Sequence, residues 1–400
     1  MRATSSIVLT LTLSAPASAQ CQYSVFTWPQ WQCNWEGPRT YTAYGLNDLG
    51  AWCGFRSACW PEDGGLDANW VPISCPANGT PVKLPLPPGA SPDGAIANAV
   101  NDAGVVVGYM YAGQFSQYFV GVIWWPDGTV EEIPSLIGIP NSPATDINDA
   151  GTIVGYSGGL PYVLEDGVMT SIPSPKLGNG FALHIANSGD VTGYFGNLNL
   201  NARAFRWKDG QLVLLEPLAG FPVSYSNGVN SYGHVAGQSR TTTTPATGKP
   251  TIWIDDQPIE LAMPAGCTTG GALAINDAGV ITGYAQGPGV PSGYVVWYGS
   301  GGTAHLLQNL LVPGSGIAPK PVRINDAGVI LGEFGPKLLM PIASPVADLD
   351  GDCAVDGNDL GVLLASWGAP DFDPRCDFNG DGIVNGDDLG TLLGEWTASR

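Results

Sequence analysis

Acidic and amide side chains near the C-terminus recur at one spacing that suits metal binding. Within residues 348–359, and again 29 residues later within 377–388, oxygen-bearing side chains occupy positions 1, 3, 5, 9 and 12 of a twelve-residue stretch. Position 7 of each stretch offers a backbone carbonyl. Calcium takes about six to eight oxygen ligands in this mixture. The predicted ligands of two calcium ions are Asp348, Asp350, Asp352, Ala354, Asp356 and Asp359, then Asp377, Asn379, Asp381, Ile383, Asn385 and Asp388.

Other residues of the two stretches must bend the backbone and hold the ligands in place. Gly382 meets the need for a sharp turn at position 6 of the second stretch, whereas Cys353 occupies that position in the first. Valine stands at position 8 of both stretches, as Val355 and Val384. We expect these two side chains to pair the stretches back to back through an apolar contact.

Each stretch is followed by a segment with helical periodicity. Apolar side chains recur at i, i+3, i+4 and i+7, which predicts one amphipathic helix after each stretch. Pro345 and Pro374 precede the two stretches and disfavour a helix there. The pattern is therefore a loop followed by a helix, twice. The apolar positions are Leu360, Leu363, Leu364 and Trp367, then Leu389, Leu392, Leu393 and Trp396.

The segment 348–400 is also the most acidic part of the chain. It holds twelve Asp or Glu against two Arg, a net charge of −10. Such density indicates either bound cations or a solvated, disordered tail, and the regular ligand spacing favours bound calcium. Because a segment of this size has only one small core, we expect metal binding to drive its folding.

The duplicated loop-and-helix pattern resembles a type I dockerin, whose paired calcium loops also end in Asp. The resemblance spans residues 348–396 and implies a small α-helical domain that holds two calcium ions. It further implies docking onto a cohesin-like protein in polysaccharide-degrading assemblies. In that family, loop positions 10 and 11 contribute to cohesin recognition. Here they are Gly357-Asn358 and Gly386-Asp387 rather than small hydroxyl or aliphatic pairs, so a cell-surface polysaccharide is the alternative partner.

A second pattern recurs seven times upstream of the acidic segment. Its clearest copies are NDAGVVVGY at residues 101–109 and NDAGVITGY at residues 276–284. In the copy at Asn187, Gly189 comes one residue early, and we interpret that copy as carrying a deletion. Weaker copies begin at Asn47, Asn148, Asn187, Asn230 and Asn325, so the mean spacing is near 46 residues.

This repeat predicts short antiparallel strands. The Asn-Asp-x-Gly stretch is typical of a tight turn between an apolar residue and a β-branched run. Between copies lies a second hairpin pattern, an aromatic strand followed by a turn, as in residues 123–128 and 205–210. Four strands per unit predict a mainly β fold. The seven copies predict a β-propeller of about seven blades over residues 20–342. In this prediction the N-terminal stretch 26–28 completes the last unit, and residues 343–347 form a linker. A pair of β-sandwiches or an open β-array are the alternatives.

These phrases also resemble the extracellular HAF repeat over roughly residues 40–335. The stretch Arg203-Ala204-Phe205-Arg206-Trp207 carries the resemblance most clearly, with Arg in place of His. The resemblance implies an exported repeat protein and no defined enzymatic activity.

Polar residues within the repeat have two interpretations. The Asp at the second position could form a ring of carboxylates that binds cations or sugars, but its fixed place favours capping of its own turn. The aromatic-strand Trp residues could stack on sugars, but one per unit favours a core between blades. His184 and His234 are interpreted as equivalent packing residues. The second-position Asp residues are Asp102, Asp149, Asp277 and Asp326.

No catalytic residues and no organic cofactor are predicted. Triad orderings, phosphate-binding loops and zinc-protease motifs are all missing from the sequence. The Glu residues at 131, 132, 216 and 260 are scattered and expected to be solvent-exposed. The favoured function is therefore a secreted, non-catalytic repeat protein, binding or surface-structural, with a calcium-dependent attachment domain at residues 348–400. A carbohydrate-active enzyme, a glycoside hydrolase or lyase carrying a dockerin, is the alternative.

Charge and the N-terminus bear on location. The chain has 15 Lys and Arg against 35 Asp and Glu, so nucleic-acid binding is excluded. Residues 1–19 resemble a secretory signal peptide, with Arg2, an apolar run over 7–13 and a small-residue cleavage site at 17–19. Because no other apolar stretch is long enough to cross a bilayer, we expect an exported protein without membrane insertion.

Eight cysteines follow the predicted cleavage site. An even number in an oxidising compartment predicts disulfides. The expected pairs are Cys353 with Cys376, Cys21 with Cys33 and Cys53 with Cys59.

Overall fold

The computed structural model describes most of the chain between Gln22 and Trp396. The described residues are 22–27, 31–33, 37–39, 41–57, 70–77, 79–86, 88, 90–113, 117–138, 140–243, 247–288, 290–299, 303–334, 336–342, 347, 349, 355, 357–369 and 372–396. Five of the predicted calcium ligands lie outside them, as do the predicted signal peptide and the partner cysteines Cys21, Cys59 and Cys353. Those five ligands are Asp348, Asp350, Asp352, Ala354 and Asp356.

The chain divides into two compact units. One is Gln22–Ile342, and the other combines Met1–Cys21 with Ala343–Arg400. No helix in the described part of either unit is long and apolar enough to cross a membrane.

Gln22–Ile342 consists mainly of antiparallel strands and tight turns. The first strands are β1 (Gln22–Thr27), β2 (Trp31–Cys33) and β3 (Gly37–Arg39). Sheet A contains β4 (Tyr41–Leu46), β5 (Trp52–Ser57), β6 (Trp70–Cys75) and β7 (Val82–Lys83). Sheet B contains β8 (Ala90–Val100), β9 (Val106–Ala112), β10 (Tyr118–Trp124) and β11 (Val130–Glu132). Sheet C contains β12 (Ala144–Ile147), β13 (Ile153–Ser157), β14 (Leu160–Glu165) and β15 (Val168–Ser171).

The later sheets repeat this arrangement. Sheet D contains β16 (Gly180–Ile185), β17 (Val191–Phe195), β18 (Arg203–Lys208) and β19 (Gln211–Leu215). Sheet E contains β20 (Val223–Val229), β21 (Val235–Arg240), β22 (Gly248–Ile254) and β23 (Gln257–Glu260). Sheet F contains β24 (Thr269–Ile275), β25 (Val280–Gly287), β26 (Val290–Tyr298) and β27 (Ala304–Leu306), followed by a 3₁₀ helix at Leu307–Leu310. Sheet G contains β28 (Pro321–Ile324), β29 (Ile330–Gly332), β30 (Lys337–Ile342) and β1.

Two features depart from simple four-stranded meanders. Sheets A and B are joined into one eight-stranded sheet by a single parallel bridge between Trp70 and Gly94. Sheet G takes its fourth strand from the other end of the chain, where Val25 of β1 pairs with Leu339 of β30. This pairing confirms that Phe26 and Thr27 belong to a strand that completes the last unit, whereas the third predicted residue, Trp28, lies outside the described residues.

A β-bulge near the end of the first strand explains the Gly at the eighth position of the repeat, such as Gly108. In sheet B the pairing of β8 with β9 skips Asn98, and Gly108 pairs with Ala97 just before the skip. A Cβ added at Gly108 would overlap the carbonyl oxygen of Ile96, so only Gly fits there. The first strand pair of every sheet carries the same bulge, and the bulged residues are Tyr44, Asn98, Thr145, Leu183, Asn227, Leu273 and Val322.

Buried side chains fill the space between neighbouring sheets. One cluster joins Ala236 and Ile252 of sheet E to Trp297 of sheet F. The indole of Trp297 donates to the Ala262 carbonyl (2.5 Å), and that of Trp253 donates to the Glu216 carbonyl (2.7 Å) of sheet D's trailing segment. These contacts confirm that the aromatic-strand Trp residues form an inter-sheet core, in which truncation of a Trp costs about 3–5 kcal/mol.

The C-terminal unit contains two α-helices, each placed after a predicted calcium loop. They are α1 (Gly357–Ser366) and α2 (Gly386–Gly394), with a 3₁₀ turn at Pro374–Cys376 between them. Val355 and Val384 are buried in one shared core, as the spacing predicted. Each helix buries one Leu completely, Leu363 and Leu392. The predicted apolar side chains that stay exposed are Leu364, Trp367, Leu393 and Trp396.

The disulfide prediction is wrong for two of the three pairs. Cys53 and Cys376 are free thiols, both buried. Cys53 packs among apolar residues of sheets A and B, and Cys376 packs in the core beneath α1 and α2. Both sulfurs are used as core atoms, which the spacing of cysteines along the chain could not show.

Candidate functional site

The turns of all seven repeat copies line one cavity. It has a volume of about 140 Å³, and its walls come from the ends of the first strands and from the turns that follow them. Because each sheet contributes the same turn, the repeated residues meet here as a ring, which we call the turn ring: residues 47–51, 101–105, 148–152, 186–190, 230–234, 276–280 and 325–329.

The repeated Asn makes two bonds and links neighbouring turns. The Oδ1 atom of Asn101 accepts the Val105 N–H (2.9 Å) and so caps its own turn. Its Nδ2 atom donates to the Asn148 carbonyl of the next copy (3.1 Å). These amides are buried, so both bonds are made away from water. The other residues that form both bonds are Asn47, Asn148, Asn230, Asn276 and Asn325.

The repeated Asp also links copies rather than capping its own turn, so the turn-capping prediction is wrong. Asp102 Oδ1 accepts the backbone N–H of Asp48 (3.0 Å), which lies 54 residues earlier. Likewise Asp48 Oδ1 accepts the N–H of Asp326 (2.8 Å), 278 residues away. The Asn at the first position already accepts the free N–H of its own turn. The Asp carboxylate can therefore accept an N–H of the neighbouring copy instead. The last copy is thereby bonded to the first.

The fourth copy carries no deletion, which corrects our reading of Asn187. Ala186 takes the place of the first-position Asn, and its carbonyl accepts Asn148 Nδ2 (3.3 Å). Asn187 takes the Asp place, where its Oδ1 accepts the Asp149 N–H (3.0 Å). The turn is set by the backbone bond from Ala186 N to the Asp190 carbonyl (2.9 Å), which matches the other copies. Matching by residue type shifted the copy by one position.

An ion cluster stands where the ring of Asn amides is interrupted. Ala186 has no side-chain amide to donate to the next copy. Beside it, Arg206 of β18 donates from Nη1 to Asp190 (2.9 Å). The same guanidinium donates from Nε and Nη2 to Asp256, the turn residue after β22, at 2.7 and 2.8 Å. Sheets D and E are therefore joined by charge at the junction that lacks the amide link.

Asp190 is the buried centre of that cluster. Only 1% of the residue is exposed. Burial raises the pKa of its carboxyl, but hydrogen bonds from Lys208, Ser188 and Arg206 outweigh burial and hold the pKa below its ordinary value. Asp190 is thus ionised and paired at neutral pH.

Carboxylates crowd one side of the turn ring. Oxygen atoms of Asp48, Asp102 and Asp149 lie within 4.8 Å of one another. Burial, together with the charges of Asp48, Asp277 and Asp149, raises the pKa of Asp326 to about 6, although the hydrogen bond from the Asp277 N–H opposes the rise. The pKa of Asp48 is raised for the same reasons. This mouth of the cavity is strongly acidic.

The Asp326→Asn variant is expected to be more stable than the wild type by about 1 kcal/mol at pH 7.5. Asn keeps an oxygen for the Asp277 N–H, as Asn187 does for Asp149, and removes the repelling charge. The raised pKa means that this carboxyl stabilises the fold fully below about pH 3.8 and stops doing so as the pH rises through about 6. A pKa shift of this size corresponds to about 3 kcal/mol of folding free energy. We expect roughly a third of that energy, because water screens the charge of the exposed side chain.

Urea denaturation at pH 7.5 and pH 4 would measure this difference. The gain should disappear at pH 4, where the wild-type carboxyl is protonated in the folded state. Asp326→Ala is the control, because it removes charge and acceptor together and should be less stable than Asp326→Asn at both pH values. An Asp326→Asn variant that is no more stable than the wild type at pH 7.5 contradicts the electrostatic account.

Three ionisable side chains meet inside the cavity beneath the ring. Arg323 of β28 donates from Nη1 to Nδ1 of His184 on β16 (2.7 Å). The same His184 nitrogen lies 3.2 Å from Asp146 Oδ2, and Arg323 Nη2 lies 3.7 Å from that oxygen. The equivalent position in the other four sheets holds only a small residue: Gly45, Ala99, Gly228 and Ala274. The space beside these small residues lets the Arg323 side chain reach Asp146 of sheet C and His184 of sheet D.

The charges in this cluster fix its protonation. Burial and the Arg323 charge both lower the pKa of His184, so the imidazole is neutral and accepts the Arg323 hydrogen at Nδ1. Burial raises the pKa of Asp146, but the Arg323 charge opposes burial, and the pKa lies below its ordinary value. The cluster is one ion pair with a neutral His between its ends.

The interpretation of His184 and His234 as equivalent packing residues is wrong. His184 lines the cavity from a first strand, whereas His234 lies in the fifth turn, where its N–H donates to Asn230 Oδ1 (3.0 Å). A signal for the cluster was present in the sequence. Asp146, His184 and Arg323 each stand just before the Ile that precedes the repeat's first position.

In the second predicted calcium loop, the side chain at the first ligand position holds the turn by its own hydrogen bonds. Asp377 Oδ1 accepts the N–H groups of Gly380 (2.9 Å) and Asp381 (3.1 Å), and its Oδ2 accepts that of Gly382 (2.8 Å). Gly382 has a φ of +85°, which suits the predicted bend. The loop is therefore closed around the first ligand position.

The last ligand position anchors each loop to its helix. Asp388 is fully buried and accepts the N–H groups of Phe378 (2.8 Å) and Asn385 (2.9 Å). Asp359, the one ligand of the first loop among the described residues, is also fully buried and accepts the Leu349 N–H (2.7 Å). Leu349 and Phe378 are both second positions, so the two loops share this contact.

Within Gln22–Ile342, four scattered Glu residues are expected to be solvent-exposed. The scattered Glu residues are exposed, as expected: Glu131, Glu132, Glu216 and Glu260. The acids that do converge, in the turn ring and beneath it, come from the repeat itself.

Solved structures of low sequence identity share the fold. YCF48 bound to D1 peptide is 14% identical, with a TM-score of 0.50 over 80% of this chain and 96% of that one. A prolyl endopeptidase is 11% identical, with a TM-score of 0.50 over 82% of this chain and 47% of that one. Virginiamycin B lyase from Staphylococcus aureus with quinupristin is 13% identical, with a TM-score of 0.45 over 80% and 100%. No protein-family model and no characterised protein sequence matches the chain. The fold is mainly β and propeller-like, shared by enzymes and binding proteins.

Proposed function

We propose that this protein is a secreted, non-catalytic binding protein, a closed seven-bladed propeller that carries a calcium-dependent, dockerin-like attachment domain. Seven sheets with one shared turn, linked from copy to copy and from Asp326 back to Asp48, support the closed ring. Residues 1–19 act as the export signal in this proposal. The C-terminal domain attaches the protein to a cohesin-like protein or a cell-surface polysaccharide.

The geometry of the second loop carries the calcium proposal. Asp377 bonds to the backbone N–H groups of Gly380, Asp381 and Gly382, and Asp388 is completely buried at the start of α2. Arg375 is the only Lys or Arg between residues 348 and 396, and it bonds to Asp373 (2.6 Å) and to the Leu349 carbonyl (3.0 Å) rather than to the acids of the second loop. The buried carboxylate of Asp388 shares a twelve-residue loop with Asp377 and Asp381, and oxygen donors of this kind suit calcium.

The first loop is proposed to bind calcium in the same way. Its last ligand, Asp359, repeats the burial and the backbone bond of Asp388. With an ion in each loop, the carboxylates that repel one another would be neutralised, and the loops would hold α1 and α2 against the core shared by Val355 and Val384.

A calcium titration tests this proposal. We expect isothermal titration of the chelator-treated full chain to show two calcium ions per molecule, and one ion for Asp388→Ala. Asp387→Ala is the matched control, because it removes an equal charge from an adjacent exposed side chain that is not a ligand. A wild type that binds no calcium, or an equal loss in both variants, would overturn the proposal.

The alternative, a carbohydrate-active enzyme, is favoured by one observation. Asp146 and His184 lie together in the cavity, where an acid and a base could act on a substrate. Against it, Arg323 occupies both groups, which leaves neither free for proton transfer. Release of sugar products from plant or algal polysaccharides by the wild type but not by His184→Ala would establish the enzyme and end the non-catalytic proposal.

A further inference from the structure

A groove lies at the end of sheet D that faces away from the turn ring. It has a volume of about 560 Å³ and is enclosed by the segment that leads into β16 and the segment that follows β17. The two strands join at the turn 186–190, so the groove is at their opposite ends. Its lining is made of Asn, Leu, Gly and two aromatic residues, with no ionisable acid or base except the Tyr phenol: Leu177, Gly178, Asn179, Phe181, Tyr194, Gly196, Asn197, Leu198, Leu200 and Asn201.

Aromatic rings form one wall of the groove. The rings of Phe181 and Tyr194 are 5.1 Å apart and tilted by 36°. Tyr156 of sheet C extends this wall, with its ring 4.8 Å from that of Phe181. All three side chains are half-buried, so each offers part of a ring to a ligand.

Amide side chains form the facing part of the groove, and their loop is held in shape by its own bonds. Asn201 Oδ1 accepts the Asn197 N–H (3.0 Å), and Asn197 Oδ1 accepts the Asn199 N–H (2.8 Å). Asn201 Nδ2 also donates to the Leu177 carbonyl across the groove (3.4 Å). Because the loop is fixed before any ligand arrives, binding would cost little ordering of the protein.

We propose that this groove binds a neutral glycan, a ligand class that rests on the proposed role of the propeller as a binding domain. Sugar rings offer flat C–H faces that pack on aromatic rings, and hydroxyls that bond to amides. The groove supplies both partners, in Phe181 and Tyr194 and in Asn179 and Asn197. The net charge of −20 disfavours acidic glycans.

The surface beyond Tyr156 indicates that the ligand is a chain rather than a single sugar. In sheet B, the rings of Tyr109, Tyr111 and Phe119 lie 5.4–5.6 Å from one another. A second aromatic cluster therefore lies on sheet B, beyond Tyr156 of sheet C, and we expect affinity to rise with chain length.

Titration of the full chain in calcium with neutral hexasaccharides tests the proposal. The probes are cellohexaose, xylohexaose, mannohexaose and maltohexaose, each compared with its disaccharide by calorimetry. We expect at least one hexasaccharide to bind saturably, about tenfold or more tighter than its disaccharide. Tyr194→Ala and Asn179→Asp are each expected to weaken binding by about tenfold, equal to the loss of 1.4 kcal/mol.

The controls separate this proposal from general effects. Tyr232→Ala removes a ring that is 72% exposed in the turn ring and should leave the affinity unchanged. Asn179 is exposed, so its variant tests the groove without disturbing the packing of Tyr194. If no hexasaccharide binds to protein that still takes up calcium, the glycan proposal fails and the attachment proposal stands. Binding only to polygalacturonate or to a peptide, or equal loss in the Tyr232 control, also overturns it.

Discussion

Removal of calcium is expected to unfold the C-terminal unit while the sheets of Gln22–Ile342 stay folded. The unit has a single small core and a cluster of acids that repel one another. A site filled to a thousand times its dissociation constant stabilises a fold by about 4 kcal/mol, so two sites would supply most of the stability of so small a domain. The sheets have their own inter-sheet cores and do not depend on these ions.

Differential scanning calorimetry of the full chain, with calcium and with EDTA, would measure this effect. We expect two transitions with calcium and only the transition of the sheets with EDTA, accompanied by loss of the helical signal of α1 and α2 in circular dichroism. Asp388→Ala should show a weakened first transition even with calcium, and Asp387→Ala should resemble the wild type. Identical traces with and without EDTA would contradict calcium-dependent folding.

The second large effect is expected from Arg206→Met, which should lower the free energy of unfolding of the sheets by about 3 kcal/mol at pH 7. The variant leaves the buried carboxylate of Asp190 with one fewer cation and removes the bidentate link to Asp256. Breaking one side of a buried ion pair is costly because the remaining charge stays desolvated. The junction between sheets D and E has no Asn amide link at Ala186 to compensate.

Urea denaturation at pH 7 and pH 3 would test this role. The pKa of Asp190 is held below its ordinary value, so its contribution is present above about pH 3.8 and is lost as the pH falls through the folded pKa. The difference between wild type and variant should therefore shrink in acid. Lys208→Met is the matched control, expected to cost about 1 kcal/mol because that side chain is 38% exposed. Equal losses in the two variants would contradict a special role for Arg206.

The local parts of the fold followed from the sequence. Asn101 and Gly104 predicted a tight turn because the bond from Asn101 Oδ1 to the Val105 N–H spans only four residues. The periodic Leu positions predicted α1 and α2 for the same reason, since helical neighbours are close in the chain. The calcium-ligand spacing of the second loop also concerns residues that are close in the chain, and calcium binding there stays a prediction.

Residues that act across the repeat could not be assigned in this way. The same Asp102 that looked like a turn cap bonds a backbone N–H 54 residues earlier, and nothing local distinguishes the two uses. The copy at Ala186 was misread because residue type, not backbone position, guided the match. The predicted disulfides failed because Cys53 and Cys376 are placed inside cores that spacing does not reveal.

By itself, the sequence determined the strands, the turns and the helices, because each depends on bonds between residues a few positions apart. Only the tertiary structure decided which side chains meet in the cavity, where Arg323 reaches His184 across 139 residues, and in the groove of Phe181 and Tyr194. Such contacts depend on how whole sheets are arranged in space, and that arrangement is fixed by packing between sheets rather than by any one segment.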